Sequence, residues 1–123
     1  MPQDGYDTDD RDDVLEQLDE KLMAVMEGQR KLRERLAVAQ LDPDDAFEIK
    51  TLLLQLDMKA DEIMRDREAF EEGRLTIKPP SEAELEDMST RVKKVREINA
   101  QNQKASDIIA AVTKAAGKLP KPT

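Results

Sequence analysis

The chain of 123 residues contains no cysteine, no histidine and no tryptophan. Without imidazole or thiol it lacks the usual acid–base group at neutral pH, the thiolate nucleophile and most zinc ligands. Disulfide cross-links are excluded for the same reason. Aromatic residues number three, Tyr6, Phe47 and Phe70, and glycines four. That scarcity disfavours a β-sandwich, whose strands need aromatic and β-branched side chains. The longest aliphatic run, Ile108 to Val112, is five residues. A membrane-spanning helix needs about 20.

Other chemical signatures are missing as well. No G-x-S-x-G, no G-x-x-x-x-G-K and no G-x-G-x-x-G occurs. The acidic run from Asp7 imitates a calcium loop in composition only. Its sixth position is Asp12 where glycine is required, and its twelfth is Leu18 where glutamate is required. Carboxylate pairs such as Asp44-Asp45 and Glu71-Glu72 read as solvated helix faces in a chain that is 39% charged. These exclusions imply a protein that is not an enzyme and uses no cofactor or metal.

Charge is abundant but unevenly placed. The net charge is −8, and the first 20 residues carry nine acids against the single base Arg11. The rest of the chain is balanced. An acidic start favours the positive end of a first helix. A rival reading makes residues 4–20 a docking segment for a basic target, as in an acidic inhibitor or immunity-type protein. Nucleic acid is not an expected partner, since phosphates repel such a surface. The start also lacks the apolar core of a secretory signal, so a cytoplasmic protein without membrane contact is expected.

Apolar spacing then predicts helices throughout. Leu15, Leu18, Leu22, Val25, Gln29, Leu32, Leu36 and Ala39 recur at alternating intervals of three and four. Ala46, Ile49, Leu53, Leu56, Ala60, Ile63, Arg67 and Phe70 do the same. Asp42-Pro43 marks a helix start, Gly73 a stop, and Ser81 with Glu84 a capping box. The third seam, Leu85, Met88, Val92 and Val95, breaks phase at Ile98 before Asn102, Ala105, Ile109, Val112 and Ala116. The expectation is an all-α, antiparallel up-down-up three-helix bundle with coiled-coil-like seams. Its helices should cover about 9–40, 43–72 and 82–116, between a disordered leader (1–8) and a flexible tail (118–123).

Two polar seam positions stand out. Gln29 and Asn102 fall at similar heights and are expected to share a polar core layer that fixes register. Arg67 is expected to pair with Asp19 or Asp87. The third helix should overhang the second and expose Ile108, Ile109, Val112 and Leu119 as a docking stripe. Methionines at 23, 26, 58, 64 and 88 lie on or beside the seams and suit adaptable contacts.

The segment "VREINAQNQKASDIIAAVTKA", residues 95–115, resembles the third-helix signature of flagellar export chaperones of the FlgN type. The likeness rests on Asn99-x-x-Asn102 with aliphatic residues before it and at Ile108-Ile109. The chain departs from that pattern at Gln103 and Lys104-Ala105. The resemblance implies a helical chaperone that holds segments of other proteins before export, with Asn99 and Asn102 on its binding face. The expected function is therefore non-enzymatic contact with a protein partner, by a monomer or weak homo-oligomer. The acidic inhibitor and a self-associating structural subunit are the alternatives.

Overall fold

The computed structural model describes residues 8–38, 41–100 and 103–117. The expected leader and tail, together with Asn102 and Leu119, lie outside these residues, apart from Thr8. Four helices form: α1 (Thr8–Leu36), α2 (Pro43–Glu71), α3 (Glu82–Arg96) and α4 (Ala105–Ala116). Among the described residues no strand segment occurs.

Local chemistry sets most helix ends. The Asp42 side chain accepts the Asp44 N–H at 2.8 Å, and Pro43 occupies the first helical position of α2. Gly73, at φ 78°, ends that helix. The Arg74 N–H reaches back to the Ala69 carbonyl at 2.8 Å, and the Gly73 N–H to the Phe70 carbonyl at 3.1 Å. This pair of bonds is the Schellman closure, which a left-handed glycine permits. Ser81 and Glu84 form the reciprocal capping box of α3.

The single third helix expected over 82–116 is two helices. α3 stops at Arg96, and the chain has reversed direction where α4 begins at Ala105. The Gln103 N–H closes part of this turn on the Asn99 carbonyl at 3.1 Å. Asparagine stabilises turns by offering the backbone side-chain partners. Ile98 and Ala100 are buried within the turn and anchor it to the core. The phase break at Ile98 marks a reversal of the chain.

Contacts give the direction of each helix. Arg11 lies 5.1 Å above the Phe70 ring and donates to the Glu71 carbonyl at 2.8 Å, so α1 and α2 are antiparallel. Arg67 donates to Asp19 at 2.7 Å across the same pair, as the spacing implied. Lys21 reaches the Ala116 carbonyl at 3.4 Å, which sets α4 antiparallel to α1. α3 runs with α1, since Arg91 lies near Lys21 and Arg96 near Glu27. α1 is the hub of the bundle: it touches the other three helices, whereas α2 and α3 do not meet.

Being the hub requires α1 to bury two stripes. Leu18, Val25, Gln29 and Leu32 serve the expected seam. A second stripe comprises Gln17, Lys21, Ala24, Gly28 and Lys31, also buried. Spacing alone did not flag it, because two lysines, a glutamine and a glycine do not read as core. The lysine stems pack against apolar neighbours while their ammonium groups reach towards polar atoms.

Candidate protein-docking face

The docking stripe expected on α4 is largely core. Ile108 and Val112 are fully buried, and Ile109 is half-buried. The reversal between α3 and α4 folds α4 back along α1, so the expected overhang does not exist. Val112 sits directly on Gly28. Of the polar pair, Asn99 is exposed on the turn. Gln29 is buried and donates to Asp57 of α2.

The exposed apolar surface is elsewhere. Phe47, Leu54 and Met58 of α2 are 73%, 66% and 72% exposed. They belong to one line along the helix: Phe47, Thr51, Leu54, Met58, Asp61 and Arg65, at intervals of 4, 3, 4, 3 and 4. Residues so spaced share a face. All six are exposed. The opposite face carries Ile49, Ala60, Ile63 and Phe70 into the core. α2 is therefore apolar on both sides at its centre.

Local chemistry leaves this line open. The Thr51 hydroxyl donates to the Phe47 carbonyl at 3.0 Å. Its polar atom is thereby used within the helix, and its methyl group faces out with Phe47 and Leu54. Asp44, Glu48 and Glu62 flank the line on one side and Lys50 on the other, while Asp61 and Arg65 lie within it. None of these four acids makes an ion pair among the described residues. Burial and the adjacent Glu62 carboxylate hold Asp66 above the usual carboxylate range. The rim is a region of negative potential.

A second, smaller apolar surface lies on α1. Met23 and Met26, with Leu22, line a shallow groove. Its charges are paired internally: Arg30 with Glu27 and Glu34 on the rim, and Arg67 with Asp19 beside it. Arg96 of α3 lies against the Met23 sulfur.

Lys21 is the one buried group here with a strongly altered acidity. Burial, with the nearby Lys59 and Arg91 cations, lowers it from 10.5 to about 8. Its ammonium donates to the last turn of α4, where carbonyls lack helical partners. Arg91 performs the same service at the Lys114 carbonyl, 3.0 Å away. Lys21 thus has a structural task.

The α2 line had a visible sequence signal. Leu52-Leu53-Leu54 spans more of the helix circumference than one core contact covers, and Phe47 falls off the seam. Among the described residues no group of three or more acids, histidines or cysteines is placed to hold a metal, and no helix is long and apolar enough to cross a membrane. No family model, curated protein or solved structure matches this chain.

Proposed function

We propose that the protein is a non-enzymatic helical bundle that works by holding a segment of another protein, in the manner of an export chaperone or adaptor. The observation that carries this reading is the outer line of α2, where Phe47, Leu54 and Met58 stand in solvent. Apolar side chains aligned on one face lower the free energy by about 25 cal/mol per Å² when covered. The resemblance to FlgN-type chaperones rests on residues 95–115.

The test is a photo-crosslinking residue at position 54, introduced in the cells that make the protein. A control residue replaces Ala110, which is exposed on α4. A protein partner trapped from position 54 and not from 110 supports the reading. Removal of residues 1–13, which carry six of the nine acids of the first 20 residues, should leave that crosslink intact. Loss of the partner on that truncation would favour the acidic-inhibitor alternative instead.

A further inference from the structure

We infer that the partner segment held on the outer face of α2 is a basic amphipathic helix; this rests on the reading of that face as a docking surface. The apolar line from Phe47 to Met58 covers 12 residues, a rise of about 17 Å at 1.5 Å per residue. That is three turns, the length over which two helices of modest size pack. Spacing by 4, 3 and 4 favours a partner with the same period, which is a helix.

Charge selects the sign of that helix. Asp44, Glu48 and Glu62 line one flank of the stripe, Asp61 and Arg65 lie within it and Lys50 stands on the other flank; none of the four acids makes an ion pair among the described residues. A partner bearing lysine or arginine beside its apolar stripe meets both the line and its rim. The methionine groove on α1 lacks this bias, because its cations and carboxylates already pair with one another.

A second copy packed antiparallel with Leu54 against Met58 would set Glu62 of one copy against Lys50 of the other, and sedimentation tests for that dimer. An anionic lipid surface would be repelled.

The probe is a synthetic peptide of about 18 residues, leucine on one helical stripe and lysine on its flanks. Its controls are a scrambled isomer and an isomer with glutamate replacing lysine. Binding to the full chain is followed by fluorescence anisotropy at two salt concentrations. The basic amphipathic peptide should bind at least about tenfold more tightly than either control. The pair Leu54→Ala with Met58→Ala should weaken it about tenfold, whereas Met23→Ala with Met26→Ala should not. Glu48→Lys with Glu62→Lys should weaken it and flatten its salt dependence. These positions are exposed, so the variants keep the fold, which circular dichroism checks.

Equal binding of the scrambled peptide would overturn the inference, since charge alone would then suffice. So would indifference to the Leu54 and Met58 substitutions. Sedimentation showing a dimer that those substitutions dissolve would assign the face to a second copy. If position 54 crosslinks a protein while the peptide fails to bind, the docking reading stands and the basic helix falls. If both fail, both fall.

Discussion

Gly28 of α1 and Val112 of α4 are in direct apposition at the centre of the bundle. A methyl group placed on Gly28 would come within 3.0 Å of Val112 Cγ1 and closer still to Cγ2. In an exposed helix, replacing glycine with alanine gains about 1 kcal/mol from backbone entropy. Here overpacking opposes that gain and costs about 1–3 kcal/mol. Gly28→Ala should therefore lower stability in urea titrations, by about 1 kcal/mol. Adding Val112→Ala should recover part of the loss, so the two changes should fall short of additivity. A simple stabilisation by Gly28→Ala would show that α4 does not lie so close.

The apolar face expected on α4 and the one found on α2 differ in what an acid does to them. Val112→Asp buries an unpaired carboxylate and should cost about 3–5 kcal/mol or prevent folding. Leu54→Asp stands in solvent, and its effect should stay within about 0.5 kcal/mol. Thermal unfolding of the two variants side by side decides which face is core. A stable, helical Val112→Asp protein would mean that α4 is not docked on α1.

Lys21 should impose an unusual alkaline behaviour. In the folded chain it loses its proton near pH 8, and in the unfolded chain near its ordinary 10.5. Between those values the unfolded state binds more protons, so stability rises with pH across that window. The unfavourable contribution is complete below pH 8 and fades above it. The rise should be on the order of 2 kcal/mol. Lys21→Met should abolish it, and at pH 7 the variant should be the more stable protein. Unfolding titrations at pH 7, 8.5 and 10 would show this, and parallel profiles for the two proteins would refute it.

Gln29 and Asp57 form a polar link between α1 and α2. Asp57→Ala leaves the buried Gln29 amide short of that partner and should cost about 1–2 kcal/mol. Gln29→Leu removes the buried polar group itself and should be neutral or stabilising by about 1 kcal/mol. Equal losses for the two would mean that the link contributes as a net attraction, against this account. The expected partner, Asn102, lies outside the described residues.

Much of the secondary structure was legible because its causes lie within a few residues. Asp42-Pro43 starts a helix by capping and a preset φ, and Gly73 stops one through a left-handed turn. The Ser81–Glu84 box needs no more than four residues. The expected seams along Leu18, Val25 and Leu32, and along Ile49, Ala60 and Ile63, are core. Of the two partners expected for Arg67, Asp19 and Asp87, it meets Asp19.

The docking face was legible only in part. Periodicity marks apolar stripes without saying which of two will be covered. On α2 the stripe of Ile49 and Ile63 is core, while that of Phe47 and Leu54 is exposed. On α4 the stripe of Ile108 and Val112 was mistaken for surface, because α4 was read as the end of a longer helix. Asn99 and its neighbours carry enough helix propensity to allow that reading.

By itself, then, the sequence determined an all-helical chain, the starts of α2 and α3 and one buried stripe on each of the first three helices, since these depend on local hydrogen bonds and on a 3.6-residue period. Tertiary structure alone decided the reversal between α3 and α4 and the role of α1 as hub. Folding α4 back buries Ala105, Ile108, Val112 and Ala115, which a continuous helix would have left without a neighbour. That gain depends on Gly28 admitting Val112, 84 positions away along the chain. Contacts between residues so far apart leave no periodic trace, and they fixed which apolar face was left exposed.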